Sequence, residues 1–309
     1  LTLVEMLVSI ALGSVLCLAG TTLLVQSKRV YLQDEQLARL QENGHYALRL
    51  LSRELSMAGY YGEFLPGEVA PAPSSGTVCY RHLVRLAGAL EHFDNLSAVG
   101  ASASGSHLPV ECARPGDHQA GADALLVRRT MDLPVVERGE VRASVQSGVL
   151  YLRSEGGGAI LERGADGLAD DASLWRFHPQ LFFLRNYSRE RGDGVPALCR
   201  IRLSPEAERT SPVECLVEGV EQMQIEFGID SDGDLRPDRH QSILAPGDVA
   251  AAVTARIQLL MRSPLPVAGH RDNNRYTLGN AGVSPPADRY LRRVLGTSVL
   301  LRNNDVNRG

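Results

Sequence analysis

From Leu1 to Val25 the chain is apolar at almost every position, and Glu5 is the only charged residue before Lys28. At a rise of 1.5 Å per residue such a run makes a helix about 37 Å long, enough to cross a bilayer. Beyond Lys28 and Arg29 the pattern changes without a break. Val30, Leu37, Leu40, Ala47, Leu48, Leu51, Leu55 and Ala58 recur at helical spacing, while Lys28, Asp34, Glu35, Arg39, Glu42, Arg49, Arg53 and Glu54 form a charged face. The first proline is Pro66. One helix is therefore predicted, with a transmembrane or polymerisation segment over 1–27 and an amphipathic continuation over 28–59. It should end near Ala58, with Gly44 as a soft point and Gly59 as a stop. Straight, it would be near 87 Å long, so about half must stand clear of a membrane as a stalk.

Residues 60–120 are rich in Pro, Gly, Ser and Ala, as in PGEVAPAPSSG and SAVGASASGS. They read as long loops forming a surface or a flexible insert. From 121 to 309 short β-rich runs alternate with turns: ALLVRR, VRASVQ, VLYLRS, LFFLRN, ALCRIRL, MQIEFGI, ARIQLLMR and TSVLLRN. No segment of helical period separates them, so the sheet should be mostly antiparallel. The predicted class is α+β, a long N-terminal helix packed on an antiparallel β domain.

With 309 residues, 44% of them apolar and 22% charged, the chain can bury a sizeable core beyond its first helix. A net charge of −4 gives no electrostatic footprint for nucleic acid. Of the five cysteines, Cys17 lies in the apolar helix, where a small buried role suits it, and Cys79, Cys112, Cys199 and Cys215 lie beyond it. An even number outside the helix points to two disulfides in an oxidising compartment. Three connectivities satisfy the count, of which Cys79–Cys112 with Cys199–Cys215 closes the shortest loops. Lys28 and Arg29 by themselves would favour the cytoplasmic side, against the disulfides. A basic leader ahead of the apolar run, since removed, would resolve the conflict and leave the bulk of the chain outside the cytoplasmic membrane.

Catalytic patterns are missing. The sequence has no G-x-S-x-G elbow, no phosphate-binding glycine loop, no H-E-x-x-H and no zinc-type spacing among its eight histidines. The glycines at 156–158 read as a turn, and Arg191-Gly192-Asp193 as an exposed hairpin turn rather than a receptor-binding tripeptide. In GIDSDGDLRPD, Asp230, Asp232, Asp234 and Asp238 stand at positions 1, 3, 5 and 9 of a calcium-type loop. Leu235 replaces the glycine of position 6 and Gln241 the glutamate of position 12. The competing reading is a polar turn on Asp232-Gly233. Calcium is the one cofactor the sequence raises.

Glu5 costs roughly 2.5–3.5 kcal/mol if ionised deep in a bilayer, so it either sits at the headgroups or has a partner. An apolar helix with Glu at position 5, opening on Leu with no basic leader before it, resembles the type IV pilin and pseudopilin class, whose leader is removed just before that helix. That class usually carries Phe at its first position, where this chain has Leu1. LQENGHYALRLLSRELSMAGYYG, LFFLRNYS, LVEGVEQMQIEFGIDSDGD, ARIQLLMRSP and TSVLLRN are in turn similar to the PilW group of minor pilins, in order along nearly the full chain. The resemblance implies a non-catalytic protein that joins other minor pilins at a pilus tip and primes polymerisation of the major pilin. The partners it implies are other minor pilins, the major pilin, a tip adhesin, the inner-membrane assembly machinery and the prepilin peptidase. The chain would lie in the inner membrane before assembly, with its C-terminal domain periplasmic, and at the pilus tip afterwards. It also implies an N-methylated first residue and a pairing of the Glu5 carboxylate with the Leu1 amine of an adjacent subunit. Two alternatives share many of these features: a J-type minor pseudopilin of type II secretion, and an anchored extracytoplasmic binding protein that never polymerises.

Overall fold

The computed structural model describes residues 2–64, 75–86, 88–97, 107–114, 116–155, 158–164, 171–205 and 208–303. Its first element, helix α1, runs unbroken over Leu3–Ser56. Thr2 caps it, and the chain leaves it through Met57, two residues short of the predicted end. Gly59 then turns the chain at φ +77, a conformation that favours glycine, while its N–H donates to the Arg128 carbonyl.

Burial along α1 begins at Gln36, whose side-chain oxygen accepts from the Leu265 backbone N–H at 2.9 Å. Leu40, Ala47, Leu48, Leu51 and Leu55 then recur at helical spacing and are fully or nearly fully buried. Val30, read as the start of this stripe, is exposed, so the packed face is shorter than the sequence suggested. Gly44 is not a soft point. A β-carbon there would lie 2.3 Å from Leu295 Cδ1 and 3.0 Å from Met261 Cγ, so the missing side chain lets the helix approach the sheet closely. Glu54, placed by its period on the charged face, is buried instead and paired with Arg129.

The remaining elements in chain order begin with α2 at Val78–Val84, β1 at Leu90–Phe93, β2 at Ala124–Val127, β3 at Val136–Glu137 and β4 at Glu140–Val141. Then follow β5 at Leu150–Glu155, β6 at Gly158–Arg163, β7 at Leu174–Arg176, β8 at Gln180–Arg185, β9 at Ala197–Arg202 and β10 at Glu214–Glu218. The last are β11 at Val220–Ile229, β12 at Arg239–Gln241, β13 at Ala252–Arg262, β14 at Tyr276–Leu278, β15 at Ala281–Val283 and β16 at Arg292–Leu300. The segment read as loops thus contributes both α2 and β1, and VRASVQ contributes only the end of β4.

These strands form a five-stranded sheet ordered β1-β2-β8-β9-β10, a four-stranded sheet ordered β12-β11-β13-β16, a second five-stranded sheet ordered β4-β3-β7-β5-β6, and the hairpin β14-β15. Every described pairing is antiparallel, giving the expected α+β class. The lower half of α1 packs on β13, β16 and β10. The main core joins it to Met223, Ile225 and Phe227 of β11 and to Ile257, Leu259 and Met261 of β13. A second core lies on the other face of the first sheet, where Cys79 and Leu83 of α2 meet Phe93, Phe183 and Cys199. The third sheet packs Leu152 and Trp175 against Tyr61 and Tyr80.

Candidate functional site

Two halves of one helix have opposite surroundings. Over Leu3–Val25 the apolar side chains touch nothing else in the chain: Leu7 is 59% exposed, Leu16 73% and Leu24 72%. This helix is long and apolar enough to cross a bilayer. Cys17 is a free, exposed thiol on it. Burying this run of side chains is worth about 25 cal/mol per Å² removed from water, so the segment is stable only in lipid or against other apolar helices.

Glu5 sits in the first turn of that surface. Its Oε2 accepts from the Thr2 N–H at 2.8 Å while the Thr2 hydroxyl accepts from the Glu5 N–H at 3.4 Å, a reciprocal cap that also places a negative charge at the positive end of the helix. Within one chain the carboxylate therefore serves its own helix. Leu1 lies outside the described residues, and with it the expected amine partner.

The aspartate loop begins where β11 ends. Asp230 is buried, and its Oδ1 accepts from the N–H groups of Asp232 at 3.1 Å and Gly233 at 2.6 Å, its Oδ2 from that of Leu235 at 3.0 Å. Asp238 Oδ2 accepts from the Ser231 N–H at 2.7 Å. Oxygens of Asp230, Asp232 and Asp238 lie within 4.8 Å of one another, near enough to share one cation. The structure does not bring Asp234 into that group; its Oδ1 accepts from the Arg236 N–H at 2.8 Å. Leu235 holds φ +66, the left-handed conformation for which a calcium loop uses glycine. Gln241 faces away, donating to Asp248 Oδ2 at 2.8 Å. The aspartates shape the turn through backbone donors, and three of them also gather oxygens.

Both disulfides are sequential. Cys79 of α2 is bonded to Cys112, with Cα atoms 5.1 Å apart, and Cys199 of β9 to Cys215 of β10, with Cα atoms 3.9 Å apart. The second joins residues directly opposite in the ladder. The Arg191-Gly192-Asp193 tripeptide lies in the exposed loop between β8 and β9, the turn the sequence predicts. Arg191 reaches Asp117 at 2.5 Å. Desolvation pushes the Asp193 carboxyl up, but N–H donors from Val195, Arg189, Glu190 and Ser188 outweigh it and hold the carboxyl at about 2. The glycine run at 156–158 falls partly outside the described residues.

Sequence reasoning missed a buried polar cluster. His92 lies on β1, Asp94 follows in the turn, and Asp123 precedes β2, all three nearly inaccessible. The alternation His-x-Asp in LEHFDN was its one local signal, hidden in a stretch read as loop.

Residues 182–303 match the family model described as Type IV Pilus-assembly protein W, PilW. The match runs from β8 to just past β16 and supports a PilW-related protein of type IV pilus assembly. No curated protein and no solved structure gives a significant match.

Proposed function

We propose that this chain is a minor pilin that co-assembles with other minor pilins at a pilus tip and primes polymerisation of the major pilin, by association rather than catalysis. The observation that carries the reading is the divided helix α1, docked on its own sheets from Gln36 onward and without intramolecular partners over Leu3–Val25. A bilayer stores the free half, with the β domain on the periplasmic side in keeping with its disulfides. On extraction the same surface packs among helices of neighbouring subunits, replacing lipid contacts with protein contacts.

Glu5 gives that packing a register. In a bundle, a protonated amine from an adjacent subunit would draw the carboxylate away from its own cap, and a charge pair in apolar surroundings is costly to break from one side. The test is recovery in sheared pili from cells expressing the full chain. Glu5→Ala should leave membrane insertion intact and lower recovery. Normal recovery of the variant would reject the pairing, and a wild-type chain retained wholly in the membrane would indicate an anchored protein that does not polymerise.

A further inference from the structure

We propose that His92, Asp94 and Asp123 form a binding site for a divalent transition-metal ion of the zinc class, enclosed where the first sheet meets β11. Each residue offers one ligand atom, and these atoms lie within 4.8 Å of one another. His92 is 2% exposed, Asp94 1% and Asp123 1%, so the site is closed to bulk water.

His92 Nε2 stands 3.0 Å from Asp123 Oδ2. Two ligands about 2.0–2.1 Å from one ion and separated by that distance would subtend roughly 95°, so an ion can replace the shared proton with little movement of either side chain. Asp123 is already aimed. Its Oδ1 accepts from the Asn95 N–H at 2.9 Å and its Oδ2 from the Ile225 N–H at 2.7 Å. Outer hydrogen bonds of this kind orient ligating carboxylates.

The second observation is what this polar group lacks. Asp94 Oδ1 is buried without a hydrogen-bond partner, and Asp94 Oδ2 has only the Asn95 side-chain amide at 3.1 Å. Among the described residues no guanidinium or ammonium group pairs with either carboxylate, although two carboxylates lie close together in a dry interior. A divalent ion would cancel both charges and give Asp94 a partner.

Ligand type selects the class. An imidazole nitrogen with two carboxylates suits zinc or a neighbouring transition ion, whereas calcium prefers six to eight oxygens. A cleft lined by Asn95, Gly121 and Gln222 adjoins the site through Asn95, whose N–H donates to Asp123. Gln222 and Gln224 both donate to the Gly121 carbonyl, so an ion here would tie the turns of the first sheet to β11.

The test uses the full chain in detergent, stripped with chelator and titrated with zinc by calorimetry, and with cobalt by visible absorption. The expected result is one ion per chain, a higher melting temperature with zinc, and a cobalt spectrum of mixed nitrogen and oxygen ligation. Asp94→Asn and His92→Gln each remove a direct ligand and should weaken zinc binding by more than the roughly 10-fold to 100-fold that loss of an outer-shell partner costs. Asp232→Asn, in the other acidic loop, should leave it unchanged. Should either site variant fail to fold, wild-type stoichiometry and the cobalt spectrum decide. The proposal is overturned if the wild-type chain takes up no zinc at one per chain, or if both variants bind it as the wild type does. Stabilisation by Asp94→Asn, with no zinc uptake by the wild type, would overturn it in favour of a cluster held neutral by protons.

Discussion

Arg129 grips Glu54 through two hydrogen bonds, Nε to Oε2 at 2.8 Å and Nη2 to Oε1 at 2.9 Å, with both side chains almost wholly buried. The pair fastens the last turn of α1 to the chain leaving β2. Removing one partner strands a buried charge, so Glu54→Ala should cost about 3–5 kcal/mol in denaturant unfolding of the full chain in detergent. Replacing both residues with methionine should recover most of that loss. A Glu54→Ala chain as stable as the wild type would show that the pair does not hold the helix end.

Stability should also fall with acid through His178. Burial, and then the charges of Arg129, Arg176, Arg202 and Arg200, lower its imidazole to about 3. An unfolded histidine titrates near 6.5, so below that pH the unfolded chain takes up a proton that the folded one refuses until about 3. Stability is therefore complete above pH 6.5 and falls by about 1.4 kcal/mol per pH unit as the pH drops through this window. Glu91 acts lower down. Burial raises it, but the His82 hydrogen bond and the Arg128 charge outweigh that and hold it at about 2, so its contribution is lost only below about 4.5. His178→Gln should flatten the stability profile between pH 6.5 and 4.5, and an unchanged slope would assign it to other groups.

The sequence was most legible where one segment decides the outcome. Strands such as LFFLRN and ALCRIRL carry their β propensity in their own residues, and the apolar run before Lys28 identifies itself by length. VRASVQ failed because its alternation buries little: Val141 is 71% exposed on an edge strand, and Val145 packs only partly buried against the cluster of Val136, Val149, Tyr151 and Leu174. Glu54 was misplaced because helical period cannot see Arg129, 75 residues away. Gly44 was misread for the same reason, since Met261 and Leu295 explain it and both are distant in the chain. The site around His92 depends on β1, β2 and β11 meeting, which no local pattern announces.

Each disulfide should add stability that grows slowly, as the logarithm, with the loop it closes. Cys199–Cys215 spans 16 residues and Cys79–Cys112 spans 33, giving roughly 3 and 4 kcal/mol by chain entropy. Cys79 and Cys112 also belong to the core under α2, so opening that bond should loosen packing there as well. Unfolding of the Cys199→Ser/Cys215→Ser and Cys79→Ser/Cys112→Ser chains, compared with the oxidised protein, checks the order. A larger loss from the shorter loop would show that local packing, not loop closure, sets the effect.

Calcium at the aspartate loop is the last expectation to be tested, and the geometry sharpens it. Asp230, Asp232 and Asp238 gather oxygens within 4.8 Å, while Asp234 turns to the Arg236 N–H. The full chain in detergent should gain melting temperature with calcium at about 10⁻⁴–10⁻³ M, the range of weak extracellular modules. Asp232→Ala with Asp238→Ala should abolish the gain, and Asp234→Ala alone should leave most of it. Leu235 supplies an independent handle. Its φ of +66 costs a side-chain-bearing residue about 1–2 kcal/mol, so Leu235→Gly should relieve strain and tighten calcium binding together. If calcium at about 10 mM, ten times the upper end of that range, leaves the melting temperature unmoved in both the wild type and Leu235→Gly, the aspartates serve only to shape a turn.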